Sequence, residues 1–344
     1  MSPPVDLSER LASLTPAQRA LFELALKKQE KAPPPPAPDL TIPKRRHQSP
    51  CALSVDQERV WFVQQLDPES PVFNVYNALR FSGRIQPAVL DRALNEVVRR
   101  QEILRVWFTV LDGTPMQVIE PALPVTLPCI DLRALPDAAR DAEAQRIATD
   151  VVTPAIPMDR PPLFRIVLMQ LADDDFVLPS CIHHIIIDWV SFYSFTTELT
   201  VIYQAFLEGR PSPLPELPVQ YPDYAEWQRE RLSDPAVTDG LVAWWKERLA
   251  DAPELLPLPT DRPRPAVQTP WGRRSPLTLS AAHSAGLREL AQREGATLFT
   301  VLLAVLKATL SRLTGEEKLI LGTPSGHRIQ PELQEVLGFF LNQL

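Results

Sequence analysis

The stretch Cys181-Ile182-His183-His184-Ile185-Ile186-Ile187-Asp188-Trp189-Val190-Ser191 is an apolar run interrupted by two adjacent histidines and one aspartate. Upstream, residues 163–171 and 176–182 are dominated by apolar and β-branched residues and are separated by Asp173-Asp174-Asp175. That pattern predicts two strands joined by an acidic turn, a hairpin that delivers the histidines. Downstream, Phe192, Phe195, Leu199, Tyr203 and Phe206 recur at helical spacing up to Gly209, which predicts a helix with one apolar face. The histidines therefore stand at a strand-to-helix junction. Neighbouring residues on a strand face opposite sides, so one histidine is expected to be structural and the other chemical. Neutral imidazole titrates near physiological pH and suits proton transfer from an amine or hydroxyl. Asp188 either orients this site or caps the following helix.

Composition narrows the setting. With 344 residues, 45% of them hydrophobic, the chain is long enough for two lobes around a sizeable core. A net charge of −7 argues against binding to nucleic acid or to an anionic membrane. No apolar run reaches the roughly 20 residues needed to span a bilayer, and the N-terminus lacks the basic and apolar regions of a signal peptide, so a cytoplasmic protein is expected. Cys51, Cys129 and Cys181 are odd in number and widely spaced, which speaks against a disulfide framework or a thiolate zinc site. The 38 prolines against 11 glycines predict stiff, extended connections.

In chain order, residues 1–31 read as a helical linker or docking segment starting at Thr15-Pro16, followed by a proline-rich linker over 32–49. Helices are predicted over 54–66 and 88–100, a strand over 76–81, and paired strands over 106–110 and 116–119 across Asp112-Gly113. The proline-broken connection 214–218 is taken as a boundary between lobes spanning 50–218 and 219–344. Beyond it come a mostly helical 221–249 anchored by Trp227, Trp244 and Trp245, a long Pro/Arg loop over 253–276, helices over 281–294 and 298–313, and strands over 318–323 and 337–344. Helices and strands alternate, so the class is α/β.

These residues resemble the condensation domain of nonribosomal peptide synthetases. His183, His184 and Asp188 stand where that family has HHxxxDG. Residues 54–66 are similar to SxAQxRLWFLxQL, residues 100–108 to RHExLRTxF with Gln101 replacing the histidine, residues 221–227 to YxDFAxW, and residues 337–342 to the start of IGxFVNT. The resemblance covers about 50–344. It implies two chloramphenicol acetyltransferase-like lobes in a V arrangement with a tunnel between them, the second lobe incomplete because the chain stops inside the last motif. It implies amide-bond formation between a donor acyl or peptidyl thioester and an acceptor amine. Both would arrive on phosphopantetheine arms of partner carrier proteins, alongside other synthetase modules, with no cofactor or metal bound directly. By the same resemblance His184 is the chemical histidine, His183 and Asp188 hold the geometry, and Trp189, Ser191, Arg105, Arg59 and Asn342 line the tunnel. A buried Asp188 needs a cationic partner, for which Arg59 and Arg105 are the candidates. Backbone amides at the start of the helix after Asp188 are either oxyanion donors or ordinary capped amides.

Two residues depart from the family pattern. Trp189 replaces the motif glycine, and its indole either narrows the tunnel beside His184 or turns into the core. Pro179 removes a donor from the strand that carries the histidines, which predicts a bulge there. Trp189 and the early stop also fit a relative that docks carrier proteins without catalysis. Epimerisation and a metal site on the His-His-Asp cluster are the remaining alternatives, the latter with adjacent histidines poorly placed for one ion.

Overall fold

The computed structural model describes residues 40–46, 49–253, 255–263, 265, 266, 272, 275–326, 328 and 330–344. The chain divides into units Met1–Thr41 and Ile42–Leu344. The helix expected within 1–31 and the proline-rich 32–39 lie outside the described residues, and the second unit carries everything that follows.

That unit is mixed α/β. Its main sheet has five strands: β2 (Asn74–Ser82), β5 (Cys129–Asp131), β6 (Phe164–Ile166), β7 (Leu168–Ala172) and β8 (Asp175–His183). They run in the order β2-β8-β7-β5, with β6 also paired to β8. β8 is central, antiparallel to β2 along its whole length, so that Asn74 stands opposite His183. Pro179 sits opposite Ala78 without interrupting β8. The expected bulge is not there: the register with β8 runs unshifted past Pro179, the irregularity in β7 falls between Gln170 and Ala172, and opposite Pro179 the predicted strand over 163–171 divides into β6 and β7. The missing N–H explains the place: Val167 donates to the Pro179 carbonyl (3.2 Å), and Pro179 has no donor to return. A smaller sheet joins β1 (Cys51–Ala52), β4 (Thr114–Ile119) and β3 (Val106–Leu111). Its β3–β4 turn has positive φ at both Asp112 (49°) and Gly113 (79°), as the Asp-Gly pair predicts.

Eight α-helices occur among the described residues: α1 (Val55–Leu66), α2 (Pro87–Arg100), α3 (Asp137–Val152), α4 (Trp189–Leu207), α5 (Tyr221–Leu232), α6 (Pro235–Leu249), α7 (Ala281–Arg293) and α8 (Leu298–Thr314). α1 begins with a complete capping box, in which the Gln57 amide donates to Ser54 Oγ and the Ser54 amide donates to Gln57 Oε1 (both 3.0 Å). α4 buries Phe192, Phe195 and Leu199 of the stripe its spacing predicts, with Tyr203 and Phe206 partly buried and Ile202 buried beside them, and lies against α2. The helix expected over 221–249 is broken at Ser233, because Asp234 caps a second helix whose first residue is Pro235. Trp227 packs on the core, whereas Trp244 and Trp245 are 48% and 37% exposed and are not the buried anchors expected.

The stretch 219–344 does not share one packing environment. α5 and residues 333–340 belong to the same core as β8, α2 and α4: Tyr221, Leu333, Val336, Leu337 and Phe340 are fully buried. α6 and α8, by contrast, carry apolar side chains open to solvent, among them Leu241, Phe299 and Leu306. The predicted strand over 318–323 is displaced to β9 (Pro324–Gly326), which pairs antiparallel with β10 (Leu341–Gln343). Residues 337–340 are irregular, and they enter the core because Gly338 lets them. A Cβ there would lie 1.9 Å from Tyr221 Cδ2, far inside van der Waals contact. Gly338→Ala should therefore lower stability by about 3 kcal/mol, the upper end of overpacking costs. Urea denaturation of both proteins measures it.

Candidate active site

β8 ends at His183 and passes into a short 3-10 turn, His184–Ile186, before α4 begins at Trp189. The two histidines consequently face different surroundings. His183 is buried, and its Nδ1 accepts the Ile185 N–H (3.1 Å). Burial, with a smaller contribution from neighbouring His184, pushes its pKa from the ordinary 6.5 down to about 3. It stays neutral and holds the turn. His184 is half-buried, and its Nδ1 stands 2.7 Å from the Ile187 carbonyl. A carbonyl only accepts, so Nδ1 carries a proton, and in the neutral ring the lone pair is on Nε2. The Phe339 ring meets this imidazole in a T-shaped contact, centroids 5.0 Å apart and planes at 76°.

Asp188 both caps and ties. Its Oδ1 accepts the Ser191 N–H (2.6 Å) and Arg328 Nη2 (3.3 Å), and its Oδ2 accepts the Phe340 N–H (3.1 Å). The Ser191 amide is thereby a capped amide, not an oxyanion donor. The cation facing Asp188 is Arg328, and neither candidate proposed from sequence fills that place. Arg105 is spent on the carbonyls of Val98, Arg99 and Glu120 beneath the small sheet. Arg59 is exposed, 3.7 Å from Asp56, and donates to the Leu341 carbonyl (3.4 Å). Arg328 is buried under Phe340, with its guanidinium 4.1 Å from the ring centre. It also donates to the carbonyls of Leu333 (2.6 Å) and Val336 (2.5 Å) and to Ser191 Oγ (2.5 Å). Burial lowers its pKa, an effect that Asp188 opposes.

Ser191 is fully buried and passes these bonds on: its hydroxyl donates to the Gly338 carbonyl (2.7 Å) and accepts the Gly338 N–H (3.0 Å). Its place is in the knot behind the site. Trp189 is 66% exposed, so the indole is not turned into the core; it stacks on Phe192, centroids 5.9 Å apart and planes at 16°. Asn342 is half-buried in β10, where its side-chain oxygen accepts the Gln343 N–H (2.8 Å). Among the described residues no group of three or more His, Cys, Asp or Glu side chains converges as a metal site would require. Nor is any single helix among them long and apolar enough to cross a membrane.

Arg328, Phe339 and Tyr221 are what sequence reasoning missed at the site. Tyr221 sends its hydroxyl to the Phe339 carbonyl (2.6 Å) and receives the Ser54 hydroxyl (2.8 Å). The Gln57 side chain donates to the Ile185 carbonyl (3.2 Å), so the capping box of α1 also braces the histidine turn.

The sequence model of the family described as "Condensation domain" matches residues 47–344. The chain belongs to the condensation domains of nonribosomal peptide synthetases. Phosphinothricin tripeptide synthetase PhsC of Streptomyces viridochromogenes is 41% identical over 340 residues, 98% of this chain but only 31% of that relative's length. The first condensation domain of the CDA synthetase superposes with a TM-score of 0.72 at 26% identity, covering 87% of this chain and 70% of that one. The X-domain from teicoplanin biosynthesis, solved in complex with OxyB, gives a TM-score of 0.75 at 27% identity, covering 88% and 66%. In this condensation domain the motif histidines and aspartate are the three residues just described, and the motif glycine is Trp189.

Two outcomes are expected. Arg328→Met leaves the Asp188 carboxylate buried without its cation and should cost about 3–5 kcal/mol, part of which Asp188→Asn in the same chain should restore; denaturation midpoints decide. His183 binds a proton more readily unfolded than folded, so its contribution to stability is complete above pH 6.5 and is lost as pH falls toward 3. Between pH 6 and 4 the stability slope of the wild type should exceed that of His183→Gln by about one proton, roughly 1.4 kcal/mol per pH unit, in urea denaturation across a pH series.

Proposed function

We propose that this domain forms an amide bond between a donor acyl or peptidyl thioester and the amine of an acceptor aminoacyl thioester, both tethered to carrier proteins. The observation that carries the reading is the 2.7 Å contact between His184 Nδ1 and the Ile187 carbonyl, which commits Nδ1–H and leaves Nε2 of the neutral ring as the base. The acceptor amine attacks the thioester carbonyl carbon as a free base. As the C–N bond forms, Nε2 takes the surplus N–H proton; the C–S bond breaks, and the proton passes to the departing thiolate. Positioning supplies much of the rate, because two tethered reactants held together approach an intramolecular reaction.

On this reading the phosphopantetheine arms belong to the carriers, and the domain itself binds no cofactor. Two lobes in a V, with a tunnel through which the arms enter from opposite ends, fit the same reading, as do the remaining modules of a synthetase and a cytoplasmic setting. A second reading, carrier docking without catalysis, is favoured by Trp189 in the place of the motif glycine and by the likeness to an X-domain that forms a complex with OxyB.

Mass spectrometry of the product from loaded donor and acceptor carriers separates the two. On the first reading the wild type makes amide, and His184→Ala lowers the rate by about 10²-fold or more while binding the loaded carriers as before. On the second, wild type and His184→Ala bind carriers equally and neither makes amide, and Trp189→Gly gains the activity.

A further inference from the structure

We infer that Phe339 is a positioning residue for His184, and that Asp188 serves the chemistry through it. Both oxygens of Asp188 are engaged by donors other than the imidazole: Ser191 N–H, Arg328 Nη2 and Phe340 N–H. The carboxylate therefore influences His184 by way of the segment it holds. One hydrogen bond, Nδ1–H to the Ile187 carbonyl (2.7 Å), restrains the imidazole at a single atom. Without a further restraint the ring swings and tilts far enough to break that bond part of the time, and the proton then exchanges between Nδ1 and Nε2. The T-shaped contact with Phe339, centroids 5.0 Å apart at 76°, blocks this motion, and such pairs contribute about 0.5–1.5 kcal/mol beyond area burial.

Phe339 is itself held on three sides. It is 4% exposed, and its carbonyl accepts the Tyr221 hydroxyl (2.6 Å). Ahead of it, Gly338 is gripped through both backbone groups by Ser191 Oγ (2.7 and 3.0 Å). Behind it, the Phe340 N–H is fixed on Asp188 Oδ2 (3.1 Å). A ring anchored on both flanks and at its own carbonyl is a rigid stop. It keeps the Nε2 lone pair aimed in one direction, as positioning catalysis requires. Phe339→Leu removes the ring and keeps an apolar side chain of similar bulk, so it separates orientation from packing.

The kinetic half of this inference rests on the amide-forming reading, and the spectroscopic half does not. The full chain and its Phe339→Leu variant are compared by 15N NMR of labelled histidine, thermal unfolding, and steady-state kinetics with carrier-bound donor and acceptor. In the wild type the His184 nitrogens should give the separated shifts of one Nδ1–H tautomer. In Phe339→Leu those shifts should move toward each other, with kcat down about tenfold, KM within twofold and the unfolding temperature lowered by only a few degrees. Unchanged nitrogen shifts in the variant overturn the proposal whatever the kinetics, as does an unchanged kcat. Converging shifts in a protein whose wild type makes no amide would uphold the positioning and remove the amide-forming reading instead.

Discussion

The buried pair of Asp188 and Arg328 is the constraint on which the rest of the site depends. Two charges removed from water cost several kcal/mol each, and their mutual attraction repays this only when the remaining hydrogen-bonding capacity is also used. Here it is used almost completely. Asp188 serves two backbone amides as well as the guanidinium, and Arg328 serves two carbonyls and a hydroxyl as well as the carboxylate. Apolar burial alone would not hold residues 333–340. Burying Leu333, Val336, Leu337, Phe339 and Phe340 contributes roughly 10 kcal/mol, close to the roughly 12 kcal/mol that ordering such a segment costs. The polar knot decides the balance, and it decides the register too, since each donor fits one acceptor.

From that knot the local structure follows outward. The same carboxylate that holds the segment caps α4, so the helix cannot begin elsewhere without breaking the pair. β8 delivers His183 into the apolar interior, and the chain turns immediately afterwards, which releases His184 from the strand's alternation and leaves it half-buried. Tyr221 then joins α5, the Ser54 cap of α1 and the Phe339 carbonyl through one hydroxyl. Four segments far apart in sequence meet behind the imidazole, and each contributes a hydrogen bond to the network.

What could be read from sequence was local. The Asp173–Asp175 turn, the α4 helix, the helix over 54–66 and the Asp-Gly hairpin are patterns of neighbours, and their elements formed close to the expected bounds. The expectation that the two histidines differ comes from a local rule, the alternation of a strand, but what separates them is the end of β8 at His183, which puts His184 in the turn. Arg328 was not legible, because it meets Asp188 across 140 positions and nothing beside it marks it as the partner; Arg59 and Arg105 looked equally suitable and are consumed by nearer groups. The break before Pro235 was legible in principle, as an aspartate cap followed by proline, and was hidden by the helical composition on both sides. The exposure of Trp244 and Trp245 depends on what packs against α6, which no periodicity records.

Native-state hydrogen exchange at the amides of Gly338 and Phe340 tests the central claim, that the Asp188–Arg328 knot fixes residues 337–340 against the histidine. If the knot holds, both amides exchange only through global unfolding, at the free energy measured for the central strand β8. If instead they exchange as fast as amides in the solvent-exposed ends of α6 and α8, the segment is not fixed by the pair, and the account of how His184 is held would be contradicted.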